Sequence, residues 1–303
     1  MKILLLGHEG YLGRSLFAFL GRRHEMYGWD QKENIFNLDA AYLSRTGIEV
    51  VINMAMIPDR SSGVYQVGAP CDEVNVMGAR HLAKILKGTD ISWFQISTRE
   101  VFGNAVYGPK DVIKTKAGYR PKFLLDEGFR YAPINFYGKT KLMAEFISES
   151  HPRSNIIRLT TCYTDFNFPG GNWVVQLIRA AVEGRPIPLT RNGLQFRDPL
   201  HVDDLGRLIE SLIERKIFSE IIHAGGGEKN ILSLREFARI AAPKGKIERR
   251  PGGDYGVAFD IRKAFRLTGW KPKILVRERI PVIAENIRRG IDRPLPATNA
   301  AAV

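Results

Sequence analysis

Cysteine is scarce: Cys71 and Cys162 are the only two in 303 residues, and they do not stand in a CxxC spacing. That excludes a disulfide framework, and both are expected to be reduced, packed thiols. The six histidines (His8, His24, His81, His151, His201, His223) are scattered, with no HxxxH spacing and no adjacent cysteine or carboxylate set. No metal centre is expected. Long apolar runs are missing too: Ile3–Leu6 and Val50–Ile52 fall far short of the roughly 20 residues that span a bilayer. Met1-Lys2-Ile3 leads straight into a strand-like run, so neither a targeting segment nor a membrane partner is expected and the cytoplasm is the default location. No internal repeat is found.

Acidic residues are outnumbered 32 to 45, for a formal net charge of +13. The basic residues are dispersed and no nucleic-acid motif accompanies them, so nucleic acid is not an expected partner. The denser stretches are 110–122, with Lys110, Lys114, Lys116, Arg120 and Lys122, and 244–250. Each reads either as a solvated face or as a positive field that draws in a diphosphate-bearing substrate.

What is present is an alternation. Apolar runs at Ile3–Leu6, Glu25–Trp29, Glu49–Asn53, Ser92–Ser97, Asn155–Leu159 and Glu220–Ala224 predict strands. Segments of helical period lie between them, near Gly13–Arg22, Asp72–Lys87, Tyr137–Ser150, Asn172–Glu183 and Asp203–Arg215. Strands alternating with helices predict an α/β fold, a doubly wound (Rossmann) parallel sheet that binds its ligand at the carboxyl ends of the strands. Residues 1–160, with a return segment at about 198–224, are expected to form a dinucleotide-binding domain. A smaller mixed α/β substrate domain is expected from 161–197 and 225–303. The stretch Gly103–Leu125 reads as a basic loop facing the ligand, the chain beyond Gly225 as irregular, and Arg293–Val303 as a frayed tail.

Three clusters carry chemistry. Gly7-His8-Glu9-Gly10-Tyr11-Leu12-Gly13 follows the first strand and opens a helix; its glycines allow a sharp turn and a close approach to a pyrophosphate at the helix N-terminus. Asp30, at the end of the next strand, can accept from the adenosine ribose and repels a 2′-phosphate, which favours NAD, with NADP the alternative. Tyr137 and Lys141 stand at i and i+4 on one helical face. A nearby ammonium and the nicotinamide charge would draw the phenol down from its ordinary pKa near 10. Finally, Ser97-Thr98 closes an apolar strand and offers a hydroxyl at its carboxyl end.

Together these residues resemble the extended short-chain dehydrogenase/reductase family, in its nucleotide-sugar epimerase, dehydratase and reductase group. Asn53-Met54-Ala55, Asn75-Val76-Met77-Gly78, Arg197-Asp198-Pro199-Leu200-His201-Val202-Asp203-Asp204-Leu205 and Gly269-Trp270-Lys271-Pro272 extend the similarity over nearly the whole chain. The resemblance implies a catalytic set of Thr98, Tyr137 and Lys141. It implies a cofactor site that includes Met54 and Ala55, with Asn37 and Leu38 near the adenine and Asn75 supporting the lysine. It also implies Asn172, Arg197 and Arg250 around the diphosphate of a nucleotide-diphosphate sugar, Glu100 beside the sugar, and a homodimer formed by the helices near 80–87 and 137–150. One departure bears on the reaction: the family's 4,6-dehydratases carry Thr-Asp-Glu, whereas Thr98 here precedes Arg99 and Glu100. Arginine does not give up its proton at working pH, so water elimination lacks its acid. The expected enzyme is an NAD(P)-dependent epimerase that transiently oxidises a sugar hydroxyl at C4. A 4-keto-sugar reductase and a non-catalytic dinucleotide-binding regulator are the rivals.

Overall fold

The computed structural model describes residues 1–62, 65–103, 106–168, 171–292 and 294. Six strands, β1 (Lys2–Leu6), β2 (Glu25–Trp29), β3 (Val50–Asn53), β4 (Ser92–Thr98), β5 (Ser154–Leu159) and β6 (Glu220–Ala224), form one sheet in the order β6-β5-β4-β3-β1-β2. All neighbours run parallel. In chain order the larger helices are α1 (Gly13–Leu20), α2 (Ala40–Thr46), α3 (Gly78–Ile85), α4 (Phe136–Ser148), α5 (Trp173–Val182), α6 (Val202–Glu214), α7 (Leu234–Ala241), α8 (Arg262–Thr268) and α9 (Val276–Arg288).

The uninterrupted apolar strands follow from burial on both faces. Ile3 and Leu5 of β1 pack with Leu16 and Leu20 of α1 and with Leu205, Leu208 and Leu212 of α6. Leu4 and Leu6, pointing the other way, meet Leu43 of α2, Leu82 of α3 and Ala144 of α4. Fully burying such side chains contributes about 1.5–3 kcal/mol each. Because β2 lies on one side of β1 and β3 on the other, the winding reverses there, and a crevice opens beyond the strand ends.

A separate core joins Val174 and Ile178 of α5, Phe237 of α7 and Ile280 and Ile283 of α9 to Ile187 and Leu189. The strand that carries these last two, Ile187–Thr190, pairs in parallel with Ile247–Arg250. Three helices beyond Gly225 correct the expectation of irregular chain. Their signals were present: Ser233 and Glu236 form a capping box at the start of α7, and Val276, Ile280, Ile283 and Ala284 of α9 are buried at helical spacing. The helix expected over Asp72–Lys87 is interrupted by a π-helical turn, Glu73–Met77, ahead of α3. The expected loop 103–125 holds a hairpin of Val112–Lys114 with Tyr119–Pro121; its Asn104 and Ala105 lie outside the described residues, as does nearly all of the expected frayed tail. Among the described residues no helix is long and apolar enough to cross a membrane. Nor, among them, is any group of three or more His, Cys, Asp or Glu side chains placed to hold a metal.

Candidate active site

A cleft of about 1150 Å³ opens at the carboxyl ends of the strands, where Leu6, Asp30, Met54, Thr98 and Leu159 stand at or just beyond five strand ends. At one end the wall is backbone. Gly7 has φ +81°, and a Cβ there would sit 2.9 Å from the amide nitrogen of Ala55. A Cβ on Gly13 would come within 2.0 Å of the Gly7 carbonyl oxygen, so the turn closes only with glycine at both places. The turn brings Gly10, Tyr11, Leu12 and Gly13 to the cleft, and no side chain caps the start of α1. This is the cradle a pyrophosphate needs at a helix N-terminus.

Asp30 does two jobs there. Its Oδ2 accepts from the Glu9 amide at 2.7 Å and its Oδ1 from the Gln31 amide at 2.8 Å. It thereby fixes the glycine turn while presenting a carboxylate to the cleft. Met54 and Ala55 line the cleft. Asn37 and Leu38 do not. The 3-10 turn Ile35–Asn37 turns Asn34, Ile35 and Phe36 to the cleft instead. Leu38 is buried in the core, its carbonyl accepting from His81.

At the other end the wall is made of side chains. Thr98 ends β4, and Tyr137 and Lys141 stand one turn apart on α4, both buried. The helix begins there because Asn135 caps it, its Oδ1 accepting from the Gly138 amide at 2.8 Å. Gly138 lets α4 lie close on the turn after β4, since a Cβ would stand 2.5 Å from the Glu100 carbonyl oxygen. Tyr137 is hydrogen-bonded to Thr98. Burial pushes its phenol up to about 12; the bond to Thr98 and the guanidiniums of Arg60 and Arg99 pull the other way, and Glu100 adds to the rise. Thr98, Arg60 and Arg99 thus favour the phenolate. Lys141 is drawn down to about 8 by burial, opposed by Glu145.

Glu100 lines the cleft with both oxygens engaged: Oε1 accepts from Arg60 Nε at 3.0 Å and Oε2 from Asn135 Nδ2 at 2.6 Å. Arg60 was not foreseen. Its guanidinium carbon lies 5.6 Å from the centre of the Tyr137 ring. The Asp59 and Ser61 carbonyls on either side of it accept from the amides of Tyr137 (2.7 Å) and Phe136 (3.1 Å). No motif marks this segment, because its place depends on the fold of two distant stretches.

Asn75 stands in the π-helical turn, behind the cleft wall. Its Oδ1 accepts from the Ile57 amide at 2.9 Å, and its Nδ2 donates to the Ile57 carbonyl and to Thr140 Oγ1. It is a positioning residue that ties the strap after β3 to the helix bearing Tyr137 and Lys141. Asn172 does line the cleft, and it also caps α5, accepting from Val174 and donating to the Cys162 carbonyl. Arg197 lies behind the wall in a two-pronged pair with Asp254, both contacts at 3.0 Å. Arg250 sits on the exposed strand Ile247–Arg250, pairs with Glu248 and is not among the residues that line the cleft.

Fold and site together define an extended short-chain dehydrogenase/reductase: a doubly wound sheet with a glycine turn at one end of its cleft and Thr98, Tyr137 and Lys141 at the other. Within that class the chain belongs to the family of the RmlD substrate binding domain, whose model matches residues 1–251. The dTDP-glucose 4,6-dehydratase 1 of Escherichia coli (strain K12) is 29% identical over 205 residues, 62% of this chain and 55% of that protein. This chain thus spans little more than half the length of that relative. UDP-glucuronic acid decarboxylase 3 of Arabidopsis thaliana is 24% identical over 327 residues, covering 97% of this chain and 91% of the relative. Among solved structures, UDP-glucuronic acid 4-epimerase from Bacillus cereus, in complex with UDP-glucuronic acid and NAD, superimposes with a TM-score of 0.78 at 22% identity. That match covers 95% of this chain and 99% of the other.

Proposed function

We propose that this chain is an NAD-linked epimerase of a nucleotide-diphosphate sugar, oxidising a hydroxyl at C4 to a ketone and reducing it again from the opposite face. The observation that carries this reading is the meeting of Thr98, Tyr137 and Lys141 on a cleft whose far end is the glycine turn and Asp30. That end suits a dinucleotide, since the space beside Gly7 and Gly13 admits no side chain. When bound, the nicotinamide supplies a reversible hydride acceptor. Thr98 holds the sugar oxygen, and Tyr137 takes the hydroxyl proton and later gives it back. Lys141, cationic below about pH 8, would hold the nicotinamide ribose. Asp30 keeps a negative charge where a 2′-phosphate would lie, which favours NAD over NADP. Water elimination is disfavoured because Arg99 stands next to Thr98 and the carboxylate of Glu100 is held by Arg60 and Asn135.

The sheet with its return segment would carry the cofactor, and the core around α5, α7 and α9 the nucleotide end of the substrate. A homodimer through α3 and α4 would cover Met77, Met143 and Phe146, which are exposed on and just before those helices. The test is a panel of nucleotide-linked hexoses and hexuronates followed by mass spectrometry and by the absorbance of reduced nicotinamide. A product of unchanged mass with no net absorbance change over many turnovers is expected. Stoichiometric consumption of reduced cofactor with a 4-keto sugar would establish a reductase instead, and a product lighter by one water would overturn the reading of Arg99.

A further inference from the structure

Three charged side chains are almost wholly buried where α4 lies on the sheet: Lys141 is 2% exposed, Glu145 1% and Arg158 of β5 0%. Charges so deep stay ionised only when they are paired and hydrogen-bonded. Glu145 meets that condition. Its Oε1 accepts from the Ser97 hydroxyl and from Arg158 Nε at 3.0 Å, and its Oε2 from Arg158 Nη2 at 2.7 Å. Arg158 also donates to the Tyr131 hydroxyl at 2.7 Å and to the Glu127 carbonyl at 3.2 Å. Its guanidinium carbon lies 5.1 Å from the centre of the Phe102 ring and 4.9 Å from that of Tyr131. Neither Glu145 nor Arg158 lines the cleft, so this ion pair sits beyond a ligand's reach and has no part in the proton and hydride steps above.

Glu145 follows Lys141 by four residues, which puts the two on one face of α4. Tyr137 and Lys139 share the helix. The segments packed against it bring Arg99 and Glu100 after β4, Asp59 and Arg60 on the strap, Cys71, Asp72 and Glu73 ahead of α3, and Arg80, His81 and Lys84 on α3 itself. Glu100 is held by Arg60 and Asn135, and Asp72 by Tyr65 and the Gly68 amide. Glu145 is the charge that acts on Lys141, against the burial that brings its ammonium down to about 8.

We propose that Glu145 is a positioning residue of the reaction: its carboxylate, fixed by Arg158 and Ser97, keeps the Lys141 ammonium charged and so sustains the hold on the nicotinamide ribose. This rests on the role given to Lys141 above. A carboxylate that accepts several hydrogen bonds stays ionised even where it is buried, which is what Arg158 and Ser97 do for Glu145. A neutral residue at 145 would leave burial unopposed, and Lys141 would shed its proton at a lower pH.

The experiment follows the full chain, isotope-labelled at the lysine Cε, by NMR across the alkaline range; the Lys141 signal is the one that Lys141→Gln removes. In the parent it should titrate near pH 8. Glu145→Gln should lower that midpoint by at least about one pH unit, the size expected of a lost opposite charge at this spacing. Glu145→Asp keeps the charge and should stay closer to the parent. NAD affinity, titrated over the same range, should weaken as Lys141 loses its proton, and that fall should move down with the NMR midpoint in Glu145→Gln. A thermal midpoint shows that each variant is folded. Should Glu145→Gln alone not fold, Glu145→Gln combined with Arg158→Met buries no orphan charge and carries the same expectation. A Lys141 midpoint that ignores these changes overturns the inference and leaves the role of Lys141 standing. Equal shifts in Glu145→Gln and Glu145→Asp would show packing at work instead of charge, and also overturn it. If the midpoint moves while the parent's NAD affinity is the same on both sides of it, the inference falls together with the role given to Lys141.

Discussion

The two ends of the cleft are built by different means. At the glycine turn the wall is main chain: Gly7 and Gly13 admit no Cβ, and Asp30 holds the turn through the Glu9 amide. At the other end the wall is side chains gathered from separate stretches, Arg60 after β3, Thr98 to Glu100 after β4, and Asn135 to Lys141 at the start of α4, with Arg197 and Asp254 behind them. A main-chain site is written in one short segment at fixed spacing. A side-chain site is written in the topology that brings remote segments together.

The largest effect should come from the side-chain end. Tyr137→Phe is expected to lower turnover by at least about a hundredfold, the usual contribution of a positioned acid–base group, while a fluorescence titration shows dinucleotide binding within about twofold of the parent. A variant that keeps more than about a tenth of its rate would contradict the proton role. Gly13→Ala probes the main-chain end. Its Cβ would lie 2.0 Å from the Gly7 carbonyl oxygen, and an overpacking cost of about 1–3 kcal/mol should weaken dinucleotide binding by roughly ten- to a hundredfold with little change in sugar-nucleotide affinity. Unchanged dinucleotide binding would show that the turn does not hold the cofactor.

Asp30→Ala should narrow the preference for NAD over NADP by about tenfold, the value of a charged hydrogen-bond partner. If direct titration shows the parent already binding NADP more tightly, the role given to Asp30 is wrong. The smallest effect concerns stability on the side-chain side. His223 of β6 is stacked on Phe259 at 3.8 Å, and its Nδ1 lies 2.9 Å from the Leu125 carbonyl. Burial lowers its pKa from 6.5 to about 3. The unfolded chain gains a proton as the pH falls through 6.5, whereas the folded chain holds its imidazole neutral until about pH 3. Stability present above pH 6.5 is therefore lost across that window. Denaturant midpoints at pH 7.5 and pH 5 should differ more in the parent than in His223→Gln; equal differences would assign the acid sensitivity to other groups.

The same contrast explains what could be read in advance. All six sheet strands and the positions of Thr98, Tyr137 and Lys141 were legible, because apolar period and the i, i+4 pair are local signals. Asn37 and Leu38 came from the resemblance, and the 3-10 turn instead puts Asn34, Ile35 and Phe36 on the cleft wall, since a shift of one or two positions on such a turn exchanges cleft for core. Arg250 was assigned to the diphosphate by the resemblance, and in the structure its exposed strand turns it to Glu248. Helices α7 to α9 were hidden by Pro243, Pro251 and Pro272, which stand between the helices, not inside them. Arg60 had no local mark at all.

The strap that carries Arg60 is fastened to Phe136 and Tyr137 through the carbonyls of Asp59 and Ser61. Every amino acid owns a carbonyl, so the anchor is indifferent to sequence while the residue between the two anchors is free to vary. Such a joint works like a tool holder: the bit at position 60 can be exchanged while the strap stays fastened, and the exchange removes a guanidinium that favours the Tyr137 phenolate. Substitutions at position 60 should therefore shift the titration of Tyr137 while the two backbone anchors keep the strap in place.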